Sequence, residues 1–172
     1  MTILISRVFA AAALVVCIPL SNVHADVSLV DATPTSSTAS EAVGDLVVSG
    51  GFTRAMLPSA KVAGGYLTIV NQGPTADRLI SVSSPAAGRV ELHEMAMEGE
   101  VMRMRALEEG LAIAAGETIA LAPGGKHLMF FDVAEPFEEG ASVAVTLTFE
   151  HAGSVEAVLA VLSPGATQAE QK

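Results

Sequence analysis

The sequence predicts an all-β fold, an antiparallel sandwich or barrel, and three observations lead there. Ten short runs, each roughly five to nine residues, are rich in Val, Ile, Leu and Thr. Gly, Pro, Asn or Ser bounds nearly every one of them. No run of ten or more residues carries a convincing helical stripe, and "AAGE" and "SPAAG" offer single turns at most. Many short strands separated by Gly/Pro turns close into sandwiches or barrels. In chain order the runs are "LVVSGGF", "GYLTIVNQG", "RLISVSS", "RVELHEMAM", "EVMRMRAL", "LAIAAG", "ETIALAPGG", "HLMFFDV", "SVAVTLTFE" and "VEAVLAVL".

The segments around these runs read differently. Residues 1–25 hold a single charge, Arg7, then an apolar run from Val8 to Leu20 and the small residues Val23 and Ala25. That is the pattern of a secretory signal peptide. Its apolar run falls short of the roughly 20 residues that a spanning helix needs. The expectation is export to the periplasm, with no membrane span once the leader is removed. Lipidation at Cys17 is disfavoured because "LVV" before it lacks small residues. Residues 26–44, with "DATPTSSTASEAVG", read as a flexible linker, and 164–172 as a disordered tail. One domain, 45–163, lies between them.

Composition excludes several functions. Cys17 is the only cysteine and lies in the leader, so the exported chain has no thiol for a disulfide, a thiolate zinc site or nucleophilic catalysis. The 19 Asp and Glu outnumber 9 Lys and Arg, for a net charge of −10, and no basic run exists, which argues against nucleic acid. Carboxylates fall without a paired spacing, and no Ser or Thr has a defensible His/Asp partner set. An enzyme is not expected.

Four of the seven methionines crowd into "HEMAMEGEVMRM", His93 to Met104. Strand alternation puts Val90, Leu92, Glu94 and Ala96 on one face and His93, Met95 and Met97 on the other. With Glu98–Gly99 as the loop of a hairpin, Met95 faces Met102 and His93 faces Met104, while Leu92 and Val101 turn inward. With Gly99–Glu100 as the loop, Met95 faces Met104 and the shared face is unchanged. In "GGKHLMFFDV" His127 and Met129 stand at i and i+2 on a strand, hence on one face, just after a glycine turn. Two His/Met pairs make four neutral, soft or borderline ligands. Thioether sulfur selects Cu(I) over Zn(II), Mg(II) or Ca(II). A blue-copper centre is ruled out, because it needs a cysteine. Each Met also has a competing explanation as packing, since Met fills gaps anywhere. His151 at a turn and Met56 in "TRAMLPSAK" read as structural.

The spacing His93, ten residues, Met104, 22 residues, His127-Leu128-Met129 resembles the H(M)–x10–M–x(about 21)–H–x–M pattern of periplasmic PCu(A)C copper chaperones. "GGYLTIVNQGPTADRLISVSSPAAGRVELHE", "VMRMR", "LAPGGKHLMF" and "GASVAVTLTFEHAG" are similar to other segments of that family, so the likeness runs from about Leu46 to Leu162. The resemblance implies a cupredoxin-like β-sandwich or Greek-key barrel, with Cu(I) held by His93, Met104, His127 and Met129. Met102 and Met95 would be auxiliary ligands. It implies delivery to the dinuclear copper centre of the copper-bearing subunit of cytochrome c oxidase, directly or with a Sco-type partner. The tail lacks the His/Met-rich extension of some relatives, which counts against a second copper site there. A periplasmic copper buffer would use the same site. A metal-free interaction module, its methionines forming a contact patch, is the alternative from another class.

Overall fold

A computed structural model describes residues 40–169. The expected signal peptide, residues 26–39 of the expected linker and the last three residues lie outside that span. Eleven strands make up the described fold: β1 (Glu41–Val43), β2 (Leu46–Arg54), β3 (Val62–Asn71), β4 (Asp77–Ser83), β5 (Ala87–Glu98), β6 (Val101–Ala106), β7 (Leu111–Ile113), β8 (Thr118–Leu121), β9 (Lys126–Val133), β10 (Ser142–Phe149) and β11 (Gly153–Leu162). Among the described residues no helix is long and apolar enough to cross a membrane. All ten runs anticipated from sequence form strands.

Seven strands close on themselves in the order β2, β11, β10, β4, β5, β9, β3 and back to β2. Closure leaves no free edge within this ring. Every pairing is antiparallel except β11 with β2, which is parallel (Ala160↔Phe52, Val161↔Thr53). The all-β, antiparallel barrel expected from the sequence is thus formed, with one parallel seam. Parallel neighbours need a long crossover, and here the whole domain between the first and last ring strands provides it. Two expectations shift. β1 lies inside the segment read as linker and pairs with β2 through Ala42↔Val47. In the tail, the Ala166 carbonyl accepts a 2.7 Å hydrogen bond from Arg54 Nε.

Alternation along the strands fills the barrel. Leu46, Val48, Leu67, Ile69, Leu79, Leu128, Phe130, Val145, Leu147 and Leu159 are buried. Phe130 meets Phe137 edge-on, ring centres 5.6 Å apart at 87°, a preferred aromatic geometry. The same ring explains Gly65: a Cβ at that position would come within 2.6 Å of Phe130 Cε2. Met56 packs against the core, as its sequence context indicated.

The start of β4 is pinned by a carboxylate. Asp77 Oδ1 accepts from the backbone N–H groups of Arg78 (2.7 Å) and His151 (3.0 Å), and Oδ2 from that of Ala152 (2.9 Å). His151 thus sits in a turn tied down through its backbone. Burial raises the Asp77 pKa, but the three N–H donors outweigh it and hold the carboxyl below its usual range. A depressed folded-state pKa means stability that is present above the unfolded value and lost as pH falls through the folded one. Asp77→Asn should therefore lower the urea midpoint at pH 7. The gap to the wild type should narrow as pH falls below about 4, where the carboxyl of the unfolded chain takes up its proton before that of the folded one. An equal gap at both pH values would contradict this.

Candidate metal centre

β5 and β9 are the strands that build the site, and their pleat sorts the side chains. Leu92, Leu128 and Phe130 enter the core, so His93 and His127 point outward. The register places the two histidines directly opposite one another (His93↔His127), with Glu91↔Met129 as the next pair on the same face. Both imidazoles are well covered, with 9% and 7% residue exposure, and their ring centres lie 6.1 Å apart. A metal–nitrogen bond of about 2.0 Å puts an ion about 3.2 Å from a ring centre, so two rings sharing one ion lie up to about 6.4 Å apart. The observed spacing fits.

Hydrogen bonds determine which nitrogens are free. His127 Nδ1 lies 2.9 Å from the Gly125 carbonyl oxygen. A carbonyl only accepts, so Nδ1 carries the proton and Nε2 keeps its lone pair. His93 Nε2 lies 2.8 Å from Glu91 Oε2, and a carboxylate likewise takes the N–H. The other nitrogen of His93, Nδ1, is buried and has no hydrogen-bond partner. A buried polar atom left in this state costs about 1–3 kcal/mol, which a bound cation would relieve. Glu91 is itself held by Arg89 Nε at 2.8 Å, and the Arg89 guanidinium lies over the Phe131 ring at 4.2 Å. The His93 hydrogen bond, aided by Arg89, keeps the Glu91 carboxyl below its usual pKa. Glu91 stays a carboxylate at neutral pH and orients His93.

The methionines arrive from β6. β5 pairs with β4 at Val82↔Val90; from His93 onward β6 takes that edge. The observed register is Glu98↔Val101, Met97↔Met102, Met95↔Met104 and His93↔Ala106. Of the two hairpins open to the sequence, the Gly99–Glu100 loop is the one formed. Gly99 has φ +66° at the first central position, where a type II′ turn needs it. Met104 is consequently a diagonal neighbour of His93, not its direct partner, while Met95 opposes Met104. The shared face holds: His93, Met95, Met97, Met102, Met104, His127 and Met129 all stand on it. Val101, expected inward, is 56% exposed because β6 lies outside the barrel and all six of its residues face solvent. On the opposite face Glu94 bridges three strands, reaching Arg105 of β6 at 3.0 Å and Lys126 of β9 at 3.4 Å. Those ion pairs join register partners and keep the hairpin aligned with β9.

Sequence reasoning missed Glu91, the Gly125 carbonyl and the Glu94 bridge. The signal for Glu91 was its place two residues before His93 on one strand. Among the described residues no group of three or more His, Cys, Asp or Glu is placed to hold a metal. Glu91, the carboxylate on this face, is taken up by Arg89 and His93; the remaining donors are imidazole and thioether, a set suited to a soft monovalent ion.

Known proteins share this architecture. The family model described as "Putative lipoprotein LpqE-like" matches residues 46–161. The "Putative lipoprotein Lxx21020" of Leifsonia xyli subsp. xyli (strain CTCB07) is 34% identical over 94 residues, which cover 52% of this chain and 57% of that protein. The chain thus spans only about half the length of the curated relatives it matches. Among solved structures, the copper-bound PCuAC domain of PmoF2 is 28% identical with a TM-score of 0.62, covering 73% of this chain and 99% of that one. The apo PCuAC domain of PmoF1 is 29% identical with a TM-score of 0.63, covering 73% and 100%. The chain belongs to the LpqE-like family, and its barrel is that of a PCuAC domain.

Proposed function

We propose that this protein is a periplasmic Cu(I) metallochaperone, acting by binding and release rather than catalysis. His93, His127, Met104 and Met129 hold one ion, with Met95 and Met102 as auxiliary donors. The observation that carries this reading is the opposed, covered histidine pair, with His93 Nδ1 buried and without a hydrogen-bond partner. Two findings support it: methionines share the histidines' face, and a PCuAC domain of the same fold has been solved with copper bound. All four ligands are neutral, so they can leave one at a time to a competing ligand without proton transfer.

The proposed recipient is the dinuclear copper centre of cytochrome c oxidase, reached directly or through a Sco-type partner; its support is the family resemblance. Deletion of the gene should lower oxidase activity at limiting copper and leave copper tolerance unchanged. Raised copper sensitivity with normal oxidase would make the protein a buffer instead.

Glu91 offers a test of how the site is held. Glu91→Ala frees the His93 ring to rotate and to change tautomer. Loss of such an outer partner typically weakens metal binding by about 10–100-fold. A chelator competition assay reads this directly, and unchanged affinity would show that Glu91 does not orient the ligand.

A further inference from the structure

The hairpin holds more thioethers than one ion needs, and packing does not account for them. Met97, Met102 and Met104 are 62%, 52% and 50% exposed. A methionine that fills a core is buried; these three lie on a hairpin whose outer strand, β6, pairs only with β5. Their arrangement is regular. Met97↔Met102 and Met95↔Met104 are successive, directly opposed pairs on one face. Directly opposed residues have Cβ atoms about 4.5–5.5 Å apart. Four thioethers on long, unbranched arms therefore stand in a two-by-two array that begins beside the histidine pair and ends at the Gly99 turn. The carboxylates of the hairpin are engaged or point elsewhere: Glu98 pairs with Arg103 at 2.9 Å and Glu94 with Arg105, both on the opposite face.

We propose that Met95, Met97 and Met102 form a second, all-thioether site for a soft d10 monovalent cation, Cu(I) or Ag(I), at the tip of the hairpin. Three neutral sulfurs and no charged donor select against Zn(II), Mg(II) and Ca(II). The exposure of Met97 and Met102 makes this the outer station: an ion enters here from a donor or leaves here to a recipient. It passes to the inner histidines through Met104, which neighbours both sets. Each step exchanges one neutral ligand for another, so the ion keeps its charge and oxidation state and no proton moves. The role as a station rests on the chaperone reading above; the site itself rests only on the methionine array.

The test uses the full chain with methyl-labelled methionine, titrated with Ag(I) and followed by NMR. The wild type should take up about two equivalents. One moves the ring resonances of His93 and His127 and the Met129 methyl, and the other moves the Met97 and Met102 methyls, as sulfur preference predicts. The variant Met97→Leu keeps an apolar side chain of similar volume at this exposed position. It should lose the weaker equivalent and bind the remaining one within about three-fold of the wild type, because Met97 is not among the donors assigned to the inner ion. Met97 and Met102 methyls that stay in place through the whole titration would overturn the proposal, as would two equivalents bound with wild-type affinity by Met97→Leu. If instead the histidine rings do not move while these methyls do, the inner site fails and the outer one stands.

Discussion

His127→Ala should weaken Cu(I) binding by more than about 100-fold, a loss of about 2.8 kcal/mol at 1.4 kcal/mol per decade. His127 is the better anchored of the two histidines. Its Nδ1–H is spent on the Gly125 carbonyl, and that carbonyl also accepts the Met95 N–H at 3.1 Å. One backbone oxygen therefore fixes the His127 ring and the strand position of a neighbouring methionine. Alanine removes the Nε2 donor and leaves His93 facing a gap with its own Nδ1 still unpaired. Since outer-partner losses already reach about 100-fold, loss of a direct ligand should exceed that. Stability should change little, because His127 points away from the core and gives up one hydrogen bond of about 0.5–1.5 kcal/mol. Competition against a Cu(I) chelator under anaerobic conditions measures the first effect, and a thermal melt the second. An affinity within about three-fold of wild type would remove His127 from the site.

Phe130→Ala should have the opposite profile, costing about 3–5 kcal/mol of stability. Phe130 is fully buried, lies edge-on to Phe137 and occupies the space that keeps position 65 a glycine. It stands on β9 one residue after Met129 and three after His127, so the same short segment supplies the core and two of the proposed ligands. Against a typical total of 5–15 kcal/mol, the variant is left marginal, and its melting temperature should fall by on the order of 10 °C or more. Saturating Cu(I) should restore part of that loss, because a ligand that binds only the folded state stabilises it by mass action. A loss below about 1 kcal/mol would mean that the barrel closes over the vacated space.

The strands were legible because their alternation and turn residues are local signals. Closure was not. The parallel β11–β2 pairing joins residues 52–54 to 160–162, and no local pattern encodes which distant edges meet. β1 is three residues, "EAV", too short and too mixed to show alternation. The shared face of His93 and the methionines followed from strand period alone, whereas the register did not. Glu98-Gly99-Glu100 allows two loops with the same glycine, and the one formed puts Gly99 where its positive φ is required. That single-residue choice is what moved Met104 from opposite His93 to opposite Met95. The parts of the site that hold the histidines were hidden for a different reason. A backbone carbonyl has no residue signature, and Glu91 between Arg89 and His93 looks like an ordinary surface carboxylate until its hydrogen bonds are known.

The central claim is that one Cu(I) sits among histidine nitrogens and methionine sulfurs on this face. X-ray absorption at the copper edge, on the full chain loaded with one equivalent under reducing conditions, tests it most directly. The account predicts a mixed first shell, with nitrogen at about 2.0 Å and sulfur at about 2.3 Å, that loses nitrogen in His127→Ala. A shell of sulfur alone, or of nitrogen and oxygen without sulfur, would contradict it.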